Sequence, residues 1–402
     1  MSRKRPLKIV FLAPFGIRPK GTLIARMLPL AAGLQHRGHR VGIIVPPYTN
    51  PEDSGRTEVV RGVRLDNIHL STIWKPAATL LMAWRMFRSA LAARPDIVHL
   101  FKPKGYGGLA AMMLIMLKRC GLAIPTVIVD TDDWEGGGGM NELHPYSTLE
   151  KRVFAFQECW LLPNAAAVTA ASRELEKMAS RAGAGVERVL YLPNCVDDLP
   201  PGDGRAVRCR LGIGDDVPLV LLYTRFFEFE QGRLHTVFSE IHRQIPQACF
   251  LVVGTGRCGE EQQLAAAAKA DGYESRLYLA GWVEPHELPA YLAAADVAIY
   301  PFADTLVNRC KCPAKLTEIM RSGVPVVADR IGQIGEYIQH DISGILCDSG
   351  NWDHMAGAVV ALLRDPVRRH KLGAAARQNL LACFSWQQYV EQLDHFYQRG
   401  LR

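Results

Sequence analysis

Four short stretches hold residues able to do chemistry. In CFLVVGTGRCGEEQQLAAAA (249–268), Gly254, Gly256 and Gly259 form a G-x-G-x-x-G spacing between an apolar strand-like run and a helix-like one. Such a turn lets backbone N–H groups approach a phosphate at a helix amino terminus. A dinucleotide site also needs an acid about twenty residues on, at the end of the next strand, to hold the ribose. Here that strand, RLYLAGWV, ends in Ala280, Gly281 and Trp282, while Asp271 and Glu274 precede it. NAD chemistry therefore survives only as a remote reading, and a turn for some other anionic or nucleotide ligand is what remains. Lys315 and Glu318 lie three apart, on one face of a helix that Pro313 begins. They are either an ordinary stabilising ion pair or a cation and a carboxylate turned toward a ligand. In TDDWEGGGGMNE (131–142), Asp132 and Asp133 close a strand ahead of Trp134 and four consecutive glycines. That loop reads as mobile, and its adjacent acids suit either catalysis or the capping of a helix. Gly16, Lys20, Gly21 and Thr22 follow the first strand, where Thr22 suits the cap of a helix starting near Leu23. Cys310 and Cys312 have no second cysteine pair or nearby histidine, which argues against a metal site.

The elements that must position these residues alternate in type. KIVFLAP, RVGIIVPP, DIVHLFKP, PTVIVDTDD and AAVTAAS are short β-branched runs, most of them leading into helical stretches. That rhythm predicts a parallel sheet with helices on both faces. Prolines, glycines and acids cluster in YLPNCVDDLPPGDGRAV (191–207), which reads as a linker. The rhythm then restarts with PLVLLYTR, ACFLVVGTG, RLYLAGWV, VAIYPF and VPVVAD, and FSWQQYVEQLDHFYQRGL closes the chain as an amphipathic helix. The expected fold is α/β, two facing Rossmann-like doubly wound domains with an interdomain cleft. Their expected bounds are 1–198 and 199–383, with 384–402 a terminal helix that returns to the first domain or stands apart. Ligands of such sheets sit at the carboxyl ends of the strands.

The 402 residues, 49% apolar and 22% charged, exclude a disordered chain. A net charge of +7 favours anionic partners such as nucleotides, phosphates or anionic lipid; no nucleic-acid partner is expected. Ten cysteines without C-x-x-C spacing, behind a start too short in apolar residues for a leader, predict reduced thiols and a cytoplasmic setting. No segment reaches the roughly 18 apolar residues of a spanning helix. Two come partway, PAATLLMAWRMFRSALAAR (76–94) and GGLAAMMLIMLKRCGL (107–122). Buried domain helices explain both most simply; the alternative is peripheral contact with the inner membrane face.

The run PAKLTEIMRSGVPVVADRIGQIGEYIQHDISGILCDSG (313–350) resembles the donor-binding region of GT-B glycosyltransferases of the family 4 type. LPNCVD, YTR, VVGTGR, LAGWVEPHELPAYLAAADVAIYPF and FSW agree with that family in order, and the loop and helix of residues 14–41 agree more loosely. The resemblance implies transfer of a sugar from a nucleoside-diphosphate sugar, retaining and without metal or cofactor. Arg225 matches the position that contacts the diphosphate, and Glu318 the second glutamate of an E-x7-E pattern that holds the ribose. Two forked acceptor oxygens suit a vicinal diol. Lys315 would reach phosphate; Gly254, Gly256, Gly281, Trp282 and Val283 would approach the nucleotide, and Gly332 and Gln333 belong to a glycine-rich turn on the donor side. Gly16, Lys20, Gly21 and Thr22 would face donor phosphate and acceptor. Asp132 or Asp133 would align the attacking hydroxyl or act as base.

Three positions depart from the pattern. Cys310 stands where the first glutamate of E-x7-E belongs, Glu230 and Gln231 where a phosphate-binding lysine is usual, and Asp132 where the acceptor loop often has histidine. Lys311 or Lys315 would have to replace the missing lysine. The acceptor expected is a lipid-linked or polysaccharide intermediate. An epimerase of nucleotide sugars and a catalytically silent nucleotide-binding scaffold stay open as alternatives.

Overall fold

Runs rich in Val, Ile and Leu become central strands because both of their faces are covered. A computed structural model describes residues 5–18, 21–71 and 75–400, the side chains of 75 and 76 excepted. Lys20 lies outside the described residues. The chain divides into two units: Met1–Asn194 with Cys310–Cys312 and Trp386–Arg402, and Cys195–Arg309 with Pro313–Ser385.

The first unit contains β1 (Lys8–Leu12), β2 (Arg40–Val45), β3 (Thr57–Val60), β4 (Val63–Asn67), β5 (Ile97–Phe101), β6 (Thr126–Thr131), β7 (Ala167–Ala170) and β8 (Val189–Tyr191). They form one sheet in the order β3-β4-β2-β1-β5-β6-β7-β8. All neighbours run parallel except β3 and β4. That antiparallel hairpin adds an edge to the otherwise parallel sheet the rhythm predicts. Its turn is Arg61-Gly62, both at positive φ (51° and 80°). A hairpin turn of this kind ordinarily announces itself as Asn-Gly or Asp-Gly, and arginine conceals it. The order reverses between β1 and β5, so loops after β1, β5 and β6 open at a topological switch point.

The second unit contains β9 (Leu219–Tyr223), β10 (Cys249–Val253), β11 (Leu277–Gly281), β12 (Val297–Tyr300), β13 (Val326–Asp329) and β14 (Ile345–Cys347). Its all-parallel order is β11-β10-β9-β12-β13-β14, with the switch between β9 and β12. A core of Val220, Leu222, Phe238, Phe250, Ile299 and Val359 joins this sheet to its helices. Residues 191–207, read as a linker, include the last residue of β8 and the first turn of the helix Gly204–Leu211. The terminal helix Trp386–Gly400 belongs to the first unit, where Arg37 Nε donates to Asp394 Oδ2 (2.8 Å) and Val390 packs over Gly33.

Candidate functional site

In the second unit the candidate residues gather at the carboxyl ends of β9, β10 and β11. Arg225 is exposed just past β9. The next residue, Phe226, is buried with φ 67°, and its N–H is held by Thr224 Oγ1 (2.7 Å). A bulky residue in the left-handed region is costly and persists only where surroundings over-determine it. Gly254 is fixed by the same crossing. Its φ is 112°, and a Cβ there would fall 1.9 Å from Thr224 O, so only glycine fits. Its N–H donates to Gly281 O (2.7 Å), joining the ends of β10 and β11.

The helix Ala314–Arg321 turns Lys315 and Glu318 toward β9. The Tyr223 hydroxyl donates to Glu318; burial first, and then this carboxylate, push the phenol far above its usual range. Lys315 Nζ lies 5.4 Å from the centre of the Tyr223 ring and 3.9 Å from Glu228 Oε1. The pair is therefore cross-linked to β9 and to the loop after it, which separates it from an isolated ion pair on a helix surface. Tyr223 lies in the YTR run, which assigns it no role, and Glu228 lies in no motif. A tyrosine ending a buried strand two residues before Arg225 was the only available signal.

The remaining expected donor residues divide. The Gly256 N–H donates to Glu261 Oε1 (2.8 Å), and the Cys258 N–H to Glu260 Oε2 (2.6 Å). Two glutamates from the first turn of the next helix thus occupy N–H groups of the glycine turn, an arrangement that disfavours a pyrophosphate there. Gly281 (φ 62°) ends β11, Trp282 is exposed and Val283 half-buried beside it. Gly332 (φ 50°) tolerates no Cβ, which would meet Arg309 O at 2.5 Å, and Gln333 is buried next to it. Lys311 groups with the first unit. Cys310 is buried; its carbonyl accepts from Ser172 Oγ (2.7 Å), and Cys312 Sγ accepts from the Asn194 N–H (3.1 Å).

The first unit assembles a buried charge network at the ends of β5 and β6. Lys102 directly follows β5, itself left-handed (φ 59°). Its ammonium meets Asp132 Oδ1 (2.8 Å) and Asp133 Oδ2, with Glu135 Oε1 at 3.6 Å. Burial opposes the charge on Lys102, but the three carboxylates outweigh it and hold the ammonium well above the usual lysine range. Burial likewise opposes charge on Asp132, yet Lys102, Arg26 and Thr22 hold its carboxyl below the usual range. Lys104 Nζ pairs with Glu135 Oε2 (2.8 Å) and donates to Asn141 Oδ1 (2.9 Å).

Thr22 departs from expectation. Its side chain caps nothing; its hydroxyl donates to Asp132 Oδ2 (2.8 Å), and the chain enters the following helix through a π turn, Leu23–Met27. Such turns occur often at functional sites. Gly21 contributes its carbonyl to Ile24 and Ala25 (3.1 and 3.0 Å), and Gly16 is required because a Cβ would lie 2.1 Å from Asn50 Oδ1. Neither Asp132 nor Asp133 caps a helix. Beneath them Arg26 grips Asp130 with two bonds, Nε to Oδ2 (2.9 Å) and Nη2 to Oδ1 (2.6 Å). Both side chains are fully buried, and their attraction overcomes burial to keep Arg26 cationic.

The four glycines have a different use from the one expected. Gly136 and Gly139 let the chain wrap the indole of Trp134, whose Nε1 donates to Gly137 O (3.1 Å). The loop is close-packed around a buried tryptophan. Glu158, from the helix Thr148–Asn164, holds it from below: the Glu135 N–H donates to Oε2 (2.6 Å) and Thr131 Oγ1 to Oε1 (3.0 Å). Burial, reinforced by Glu135, pushes its carboxyl up to about 8. The protonated form also fits, because Thr131 can turn its proton to Asp133 O (3.2 Å) and accept from Glu158.

Two doubly wound α/β units, with cations and a tyrosine-bonded carboxylate at the strand ends of the second, define the class: GT-B architecture built to handle an anionic ligand. A profile described as glycosyl transferase 4-like domain matches residues 21–195, and one described as glycosyl transferases group 1 matches 218–365. The chain belongs to this family, the GT-B glycosyltransferases of the family 4 type, and is an enzyme that uses nucleotide sugars. It is 27% identical over 370 residues, 90% of each chain, to the GDP-mannose-dependent alpha-(1-6)-phosphatidylinositol monomannoside mannosyltransferase of Mycobacterium tuberculosis. It is 25% identical over 381 residues to the glycogen synthase of the same organism, covering 89% of this chain and 86% of that one. In fold it is similar to HepE of Anabaena in complex with UDP (TM-score 0.71, 18% identity, 97% and 99% covered). It is also similar to the sucrose-phosphate synthase of Thermosynechococcus elongatus (TM-score 0.75, 17% identity, 98% of each).

Proposed function

We propose that this protein is a retaining, metal-independent glycosyltransferase that moves a sugar from a nucleoside diphosphate to a hydroxyl of a lipid-linked or polysaccharide intermediate. The carrying observation is the triad Tyr223–Glu318–Lys315 beside exposed Arg225 at the end of β9. Glu318 offers the ribose diol a carboxylate that Tyr223 already orients. Arg225 and Lys315 supply positive charge where a diphosphate departs, the role a metal ion would otherwise fill. Cys310 and Gln231 remove neither of these parts.

Retention is supported by what the first unit offers an attacking hydroxyl. An inverting displacement needs a general base poised near neutrality. Asp132 is held below the usual carboxylate range by Lys102, so it accepts a hydrogen bond and orients a hydroxyl but takes its proton poorly. The departing diphosphate oxygen, on the same face as the attack, is the better acceptor.

A lipid-linked acceptor is supported by the Mycobacterium tuberculosis mannosyltransferase, whose name gives a phosphatidylinositol acceptor. It is supported too by apolar exposure in the first unit. The helix Gly105–Arg119 buries Ala110, Ala111, Leu114 and Ile115 against the core and, of its apolar side chains, exposes only Met116. The helix Thr148–Asn164 instead exposes Leu149 (72%), Val153 (40%) and Phe156 (58%) at helical spacing beside exposed Arg152. No helix among the described residues is long and apolar enough to cross a membrane.

Thermal-shift titration with UDP, GDP and ADP tests the reading. One nucleoside diphosphate should raise the melting temperature of the wild type but not of Glu318→Ala or Arg225→Ala. The anomeric signal of the transferred sugar, read by NMR, should match that of the donor; an inverted product refutes retention. No shift with any nucleotide returns the silent scaffold, and turnover of donor without acceptor returns the epimerase.

A further inference from the structure

A groove of about 920 Å³ lies in the first unit between β1, β2 and β4 and the helix Lys75–Ala92. That volume falls within the roughly 300–1,000 Å³ of small-molecule sites. Its floor is set by register. Lys8 pairs with Arg40 and Val10 with Gly42; Gly42 pairs in turn with Arg64 and Ile44 with Asp66. Because side chains alternate along a strand, these residues share one face. On that face each strand starts with a cation, Lys8, Arg40 or Arg64; Val10 and Ile44 follow on β1 and β2, whereas β4 continues with Asp66 and the chain reaches Ile68 just past its end.

Gly42 is the gap in this floor. It occupies the middle of β2, where glycine weakens a strand and often marks close approach of a ligand. A Cβ built there meets nothing nearer than Arg64 O at 3.9 Å, so no neighbour demands the glycine. Above it the helix presents Leu81, Trp84 and Arg88, spaced three and four apart. Arg85 Nη1 ties the roof to the end of β4 through His69 O (2.6 Å) and Leu70 O (3.2 Å). The other end stays lined by Lys8, Arg40, Arg64 and Arg88. Against these four cations stands one lining carboxylate, Asp66, which Arg64 Nε already holds (3.0 Å). Just outside, Asp96 is held by Arg5 Nη2 (2.9 Å) and the Lys8 N–H (2.8 Å).

We propose that this groove is a site for an anionic phospholipid, one acyl chain lying over Gly42 beneath the helix and the phosphate among Lys8, Arg40 and Arg88. Charge complementarity selects the occupant: Lys8, Arg40 and Arg88 at one end, Val10, Ile44, Ile68, Leu81 and Trp84 along the middle, and a far end where Arg85 is already bonded to two carbonyls match an anionic amphiphile. The charged end lies at the strand starts, whereas Lys102 and Asp132 follow strand ends. The lipid is therefore a ligand separate from the acceptor, and the inference does not depend on a lipid-linked acceptor.

Dioctanoyl phosphatidylglycerol, offered to the full chain below its micellar concentration, should bind saturably in isothermal titration calorimetry. Dioctanoyl phosphatidylcholine should bind at least tenfold more weakly, and inorganic phosphate not measurably. Gly42→Val fills the floor with a good strand former and should cost at least tenfold in affinity while leaving the nucleotide thermal shift in place. Arg40→Glu with Arg88→Glu, at the exposed rim, should cost as much and serves if the valine disturbs folding. Equal affinity for the two lipids, unchanged affinity in the variants, or no saturable binding overturns the proposal. Because binding is read and not transfer, a failure of the lipid-acceptor reading leaves the result standing.

Discussion

The two units place chemistry at the same kind of position, the loop after a central strand, yet hold it differently. In the second, Phe226 is left-handed three residues past β9, and the proposed donor-side chains Arg225, Lys315 and Glu318 are exposed or half-buried, with Tyr223 bonded to Glu318. In the first, left-handed Lys102 follows β5 and sits in a buried net with Asp132, Asp133 and Glu135, over the fully buried pair Arg26–Asp130. The second unit keeps charges accessible for a ligand to neutralise. The first neutralises its own, which makes it rigid and leaves its stability hostage to single side chains.

The sharpest test of that contrast is Arg26→Met. It strands Asp130 as an uncompensated buried charge and should cost about 3–5 kcal/mol, read by urea denaturation; Arg26→Met with Asp130→Asn should recover much of the loss. A cost under about 1 kcal/mol would mean that the net is not what holds the first unit. Glu318→Ala should do the opposite, lowering kcat/KM about a hundredfold, or roughly 2.7 kcal/mol, while the melting temperature changes little. Equal damage to both quantities would erase the distinction between the units.

Lys102→Met comes next. Without its ammonium, Asp132 loses the main force keeping its carboxyl low, so the acid limb of the activity profile should move to higher pH and activity near pH 5 should fall first. An unmoved limb would show that Asp132 need not be ionised. The smallest effect concerns Glu158. Its folded-state carboxyl titrates near 8 against about 4.3 for a free glutamate. The folded state therefore holds a proton that the unfolded chain has released, and stability is complete below about pH 4 and falls as pH rises toward 8. Glu158→Gln keeps the neutral hydrogen bonds and should flatten that fall by about 1–3 kcal/mol between pH 5 and 8, measured as chemical denaturation at several pH values. An unchanged slope would assign the dependence elsewhere.

Legibility followed sequence distance. Arg225 and Glu318 are legible through the family resemblance, and Lys315 through its three-residue spacing from Glu318 on one helix face. Tyr223 stands in the YTR run, but a strand-end tyrosine is ordinarily packing and announces no role. Lys102 and Lys104 follow the end of β5 in FKPKG, where a cation after a buried strand is the local signal of the net. Arg26 and Asp130 stand 104 residues apart, and nothing local in either position announces the other. The glycines at 136–139 are visible in the sequence, but glycine signals only permissiveness; the packed Trp134 shows that Gly136 and Gly139 serve close approach.

By itself, then, the chain's order of residues determined two α/β units, the strand-end placement of the donor-side residues, and the family. Those properties depend on periodicity and on turns a few residues long, which neighbours in sequence dictate. Only tertiary structure decided that Thr22 serves Asp132 in place of a helix end, that Glu260 and Glu261 fill the glycine turn, and that Gly42 opens a groove with cations at one end. Each of those depends on which strand lies beside which and in what register. That is settled by the burial of the whole sheet, not by any stretch that can be read along the chain.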